Sequence, residues 1–141
     1  MSNAAISLSI DRMSKADDPR QAIIKEIGKA NLDGYRLFDD DVLLGTYVRP
    51  EKTKGGIILT SKSKDEDRFQ GKVGLLLKCG PTAFKYDRSG AYDFEGDKPA
   101  VGDWAVYRAS DGWEMALNGV SCRIIRASML RGIVSDPSSI W

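Results

Sequence analysis

The sequence predicts a mainly β domain, a small barrel or sandwich of short strands, with one amphipathic helix ahead of it. Three observations carry this. Short apolar or alternating runs recur at Val42-Leu43-Leu44, Val73-Gly74-Leu75-Leu76-Leu77, Trp104-Ala105-Val106-Tyr107 and Cys122-Arg123-Ile124-Ile125. Turn residues separate them at Gly80-Pro81, Val101-Gly102-Asp103, Asp111-Gly112 and Asn118-Gly119, the last a strong hairpin signal. There is no βαβ rhythm and no internal repeat, and 141 residues suit one domain.

The elements follow in order. Met1 to Ile10 mixes Ser and Asn with isolated aliphatics and has neither the basic start nor the long apolar stretch of a signal peptide, so a cytoplasmic protein is expected. Asp18-Pro19-Arg20-Gln21 reads as a helix start, with an Asp cap and Pro at the first helical position. Ile23, Ile27 and Ala30 then share a face until Asn31-Leu32-Asp33-Gly34 breaks the pattern. A helix of about three turns is marginal alone, so its stripe must dock on the body or on a partner. Residues 1–34 are read as an extension, 35–134 as the β body and 135–141 as a tail, and a chain trimmed of residues 1–33 is expected to stay soluble.

Two stretches interrupt the strands. Residues 50–70 are dense in Lys, Ser, Asp and Glu around one apolar island, Gly56-Ile57-Ile58-Leu59-Thr60. This island reads either as a short core strand with solvated ends or as a flexible loop offering Ile57, Ile58 and Leu59 to a groove on another protein. Gly55-Gly56 before it and Ser61-Lys62-Ser63-Lys64 after it resist regular structure. In residues 81–100, Phe84, Tyr86, Tyr92 and Phe94 alternate with polar residues about Ser89-Gly90, so a hairpin with all four aromatics on one face is expected.

Composition narrows the chemistry. Lys+Arg 21 against Asp+Glu 20 gives a net charge of +1, without the basic excess that nucleic acid demands. No apolar run approaches the roughly 20 residues of a membrane span. The absence of histidine removes imidazole bases, His-activated nucleophiles and His metal ligands, so an enzyme is not expected. Asp39-Asp40-Asp41 and Asp65-Glu66-Asp67 read as solvated runs rather than a metal site, and no cofactor is expected. Cys79 and Cys122 are expected as two buried thiols.

The order Val42-Leu43-Leu44, Glu51 to Thr60, Gly71-Lys72-Val73, Val101 to Tyr107, Asn118-Gly119-Val120 and Ile124 to Val134 resembles the GroES-type co-chaperonins over roughly residues 36–134. The resemblance implies a Greek-key β-barrel that forms a homo-oligomeric ring and caps a large, nucleotide-bound chaperonin ring. It makes Ile57, Ile58 and Leu59 the partner contacts and Gly55 and Gly56 their hinge.

The helical extension, the long aromatic hairpin and a tail ending in Ile140-Trp141 depart from that family's usual form. In this the chain resembles divergent GroES-like proteins of bacteriophages, which would act in the host cytoplasm. Ile23, Ile27, Phe84, Tyr86, Tyr92, Phe94, Ile140 and Trp141 become candidate assembly contacts. The alternative partner is a major capsid protein, the barrel then being reused as a virion decoration or capsid-stabilising protein.

Overall fold

The computed structural model describes residues 18–49 and 72–140. Helix α1 (Pro19–Ile27) begins as expected: Asp18 caps it by accepting the Arg20 backbone N–H at 3.0 Å, with Pro19 in the first turn. The expected single helix is in fact two. Gly28, at φ 87°, leaves helical space and separates α1 from the short α2 (Lys29–Asp33).

Six antiparallel strands form one sheet: β1 (Asp41–Thr46), β2 (Val73–Cys79), β3 (Trp104–Val106), β4 (Trp113–Leu117), β5 (Val120–Arg126) and β6 (Gly132–Val134). Their spatial order is β4-β5-β1-β2-β3-β6. The pairings of β1 with β5 and of β3 with β6 are long-range returns of the Greek-key kind. Asn118 and Gly119, at φ 50° and 81°, make the two-residue turn between β4 and β5, where both central residues must be left-handed. Strand β4 was not among the apolar runs because it lies at the sheet edge and is largely exposed.

The apolar runs are uninterrupted because the sheet is covered on both faces. Val42, Leu44, Leu76, Ala105 and Ile125 point to one face, where Phe84, Tyr107, Ala127 and Leu130 close over them. Leu43, Leu75, Leu77, Trp104 and Cys122 point to the other, beneath α1. There Ile27 is fully buried and Ile23 packs beside it. Gly45 makes room for the helix: a Cβ at this position would stand 2.8 Å from the Ile23 side chain. Asn118 Nδ2 donates to the carbonyls of Glu26 (3.0 Å) and Ile27 (3.2 Å), so the β4–β5 turn caps the free carbonyls of α1.

The cysteines divide. Cys122 is buried, but Cys79 is exposed because it closes β2 where the strand leaves the core. Burial pushes the Cys122 thiol from its ordinary 9.0 up to about 11. The folded chain thus keeps a proton that the unfolded chain releases from pH 9 upward. This contribution to stability is complete below pH 9 and is lost as pH rises through 11. Thermal melts on either side of that window are expected to show a fall in Tm that Cys122→Ala reduces.

Candidate functional site

Register places the roots of the 50–71 segment at one end of the sheet. Strand β1 leaves there through Tyr47, whose N–H donates to the Val73 carbonyl at 3.0 Å, and the chain re-enters at Lys72, whose carbonyl accepts the Tyr107 N–H at 2.8 Å. Tyr47 stacks edge-on against Trp104, with ring centroids 5.5 Å apart. Both roots are therefore tied to the sheet by a backbone bond beside a buried aromatic ring. Gly55, Gly56, Ile57, Ile58 and Leu59, the expected partner contacts, lie outside the described residues, as do Asp65-Glu66-Asp67.

A buried guanidinium in the middle of β5 ties the sheet to the link between β3 and β4. Arg123 is 2% exposed. Its Nη1 donates to the carbonyls of Ala109 (2.8 Å) and Asp111 (2.5 Å), its Nη2 donates to Glu114 Oε1 (2.7 Å), and it lies 5.1 Å from the Tyr107 ring centroid. Burial raises the Tyr107 hydroxyl above its ordinary pKa, and the neighbouring Arg123 cation partly offsets this. Gly112 must lack a Cβ, which would sit 2.8 Å from the Ile124 carbonyl and against the Arg123 stem, and its φ of 85° independently favours glycine. Sequence reasoning missed Arg123. The one available signal was its place inside an apolar run, where strand alternation turns it to the same face as Ile125.

The hairpin of residues 81–100 sits at the opposite end of the sheet, beyond the start of β1 and the end of β2. The expected single aromatic face is not formed. Phe84 adopts φ 59° within a run of turns, and Tyr86 pairs with Asp93 instead of facing Tyr92. The strand alternation that would align the four rings is therefore broken. Phe84 and Phe94 pack edge-on at 5.9 Å into the core, while Tyr86 and Tyr92 remain in solvent, Tyr92 at 73% exposure. At the tip, Asp87 accepts from the Ser89 hydroxyl (2.6 Å) and the Gly90 N–H (3.1 Å), and the hydroxyl bond leads in lowering its carboxyl pKa.

Most of the other candidate assembly contacts also face inward. Ile27, Ile23 and Ile140 pack on the chain's own core, so the helical stripe and the tail are anchored within the molecule rather than offered to a partner. Trp141 lies outside the described residues. Asp39 takes a left-handed turn (φ 51°) and Asp40 pairs with the exposed Arg126 at 3.3 Å, so neighbouring carboxylates are turned to separate uses. Among the described residues no group of three or more Cys, Asp or Glu is arranged to hold a metal ion. Among them, too, no helix is long and apolar enough to cross a membrane.

The described residues thus form a β domain in which the 50–71 segment is rooted at one end of the sheet and a hairpin stands at the other. No protein-family model matches the chain. It is similar to the co-chaperonin GroES of Rhodobacter capsulatus, with 29% identity over 101 residues that cover 72% of this chain and 98% of that protein. It is equally similar to the co-chaperonin GroES of Methylorubrum populi, 29% identical over 103 residues covering 72% and 97%. Co-chaperonin GroES 2 of Mesorhizobium japonicum is 28% identical over 110 residues covering 75% and 94%.

Proposed function

We propose that this chain is a co-chaperonin of the GroES type, which assembles into a homo-oligomeric ring and caps a large, nucleotide-bound chaperonin to assist protein folding. The observation that carries this reading is similarity to co-chaperonins across nearly their whole length. The anchored roots at Tyr47 and Lys72 support it, since they would hold a projecting loop at one end of the fold. In this reading Gly55 and Gly56 are the hinge, Ile57, Ile58 and Leu59 enter a groove on the chaperonin, and the protein itself catalyses no reaction. The extension, the aromatic hairpin and the tail support assignment to the divergent phage-encoded kind, acting in the host cytoplasm with phage capsid protein as a client.

Magnitudes favour a ring. Burying three aliphatic side chains yields roughly 1.5–3 kcal/mol each. Ordering the loop around them costs roughly 1–2 kcal/mol per residue. One loop therefore binds weakly, whereas several on one ring bind together because each later contact is intramolecular.

Mass photometry of the protein mixed with a large chaperonin and nucleotide tests this. The wild type is expected to cap the chaperonin, and Ile58→Asp to lose capping while keeping its own assembly mass and Tm. Normal capping by Ile58→Asp would overturn the loop reading. No association at all, with the protein present in purified virions at shell stoichiometry, would replace the co-chaperonin with a capsid-stabilising protein.

A further inference from the structure

Exposed apolar surface gathers at the end of the sheet away from the loop roots. Of the eight large hydrophobic side chains exposed among the described residues, Phe38, Tyr86, Tyr92, Trp113 and Met129 lie toward that end by strand register, and Tyr86, Tyr92 and Ile133 line one cleft. This cleft, of about 1140 Å³, opens between the hairpin and the link from β5 to β6. Arg88 Nη2 donates across it to the Leu130 carbonyl at 3.2 Å, and the Phe84–Phe94 contact anchors the hairpin from below, so the two walls are already formed.

The walls differ in charge. On the hairpin side Asp87, Glu95 and Asp97 outnumber Arg88 in the lining, while Lys85 lies over the Tyr86 ring at 5.6 Å from its centroid. On the sheet side Arg126 is paired with Asp40, leaving the exposed Arg131 next to Ile133 on edge strand β6. Apolar rings at the centre with charges around them is the usual make-up of a protein interface.

We propose that this cleft is a self-docking face: two copies meet hairpin end to hairpin end about a two-fold axis. Each Tyr92 enters the cleft of the other copy, and each acidic wall lies against the other copy's Arg131. Charge selects the occupant. The lining holds four carboxylates and three guanidiniums, so it attracts neither a polyanion nor a strongly basic peptide. Acidic and basic walls on one surface complement a second copy of that surface, and the two-fold axis makes each pairing twice. This contact lies at the far end from the loop roots and stands whether or not the loop binds a chaperonin.

Sedimentation velocity over a concentration series tests it with the full chain. The wild type is expected to gain, as concentration rises, a species of twice the mass of the assembly it forms at low concentration, whether that is a monomer or a ring. Arg131→Glu and Glu95→Arg, both exposed changes, should each weaken that association roughly tenfold or more by setting like charges together twice. An equimolar mixture of the two variants should restore it, because each carries the complement of the other. Tyr92→Ser should weaken it with Tm unchanged. A wild type without the doubled species, single variants that associate normally, or a mixture that fails to recover would each overturn the proposal.

Discussion

Ile27→Ala is expected to destabilise the fold by about 2–5 kcal/mol, the range for truncating a fully buried aliphatic side chain. Ile27 has no exposed surface, and it touches the sheet face formed by Leu43, Leu75, Leu77 and Cys122. Removing its methyl groups leaves a cavity that the helix cannot fill by sliding. Asn118 holds the Glu26 and Ile27 carbonyls and Asn31 Nδ2 bonds the Ile27 carbonyl at 2.7 Å, so the backbone position is pinned. Against a typical domain stability of about 5–15 kcal/mol this is a large fraction. Urea unfolding checks it: the midpoint should fall with little change in slope. Trimming residues 1–33 should be worse, exposing that sheet face and causing aggregation. This reverses the expectation from sequence that the trimmed chain stays soluble. A soluble trimmed chain with an unchanged Tm would show that the helix is dispensable to the core.

Arg123→Ala is expected to cost about 1–3 kcal/mol, the range for leaving a buried acceptor without its donor, since Glu114 itself stays in contact with solvent. The guanidinium satisfies two carbonyls of the β3–β4 link, pairs with Glu114 and fills space against Tyr107. Its loss leaves the buried Asp111 carbonyl and the part-buried Ala109 carbonyl without their donor. Arg123→Lys should recover only part of the loss, since one ammonium cannot reproduce the fork that reaches both carbonyls and Glu114. Tyr107→Phe is the control. The Tyr107 hydroxyl is buried with Thr46 and Arg123 as its polar neighbours but makes no well-formed hydrogen bond, so deleting it should cost little while the ring stays on Arg123. Chemical denaturation of the three variants should order them Ala, Lys, Phe from least to most stable, and equal stability of Arg123→Ala and wild type would remove the network from the account.

Much of the fold was legible along the chain. The apolar runs at Val42, Val73, Trp104 and Cys122 are strands, Asn118-Gly119 is a hairpin turn and Asp18-Pro19 starts a helix. Each is a local preference acting over a few residues: β-branched and aromatic runs favour extended backbone, Asn-Gly accepts left-handed geometry, and Asp caps exposed N–H groups. Of the site residues less was legible. The aromatics of the hairpin alternate in sequence, yet turns at residues 81–85 and the left-handed Phe84 send two inward and two outward.

By itself, then, the sequence determined the class of fold, the turns and the position of the helix, because hydrophobic period, capping and turn chemistry act between near neighbours. It also set the chemistry that histidine would have supplied out of reach. Only the tertiary structure decided that the helical stripe belongs to the core, that Arg123 is buried, and that Tyr86 and Tyr92 line a cleft of mixed charge. Those outcomes depend on which distant segments meet, as Asn118 meets Glu26 and Arg88 meets Leu130, and no local pattern encodes such meetings.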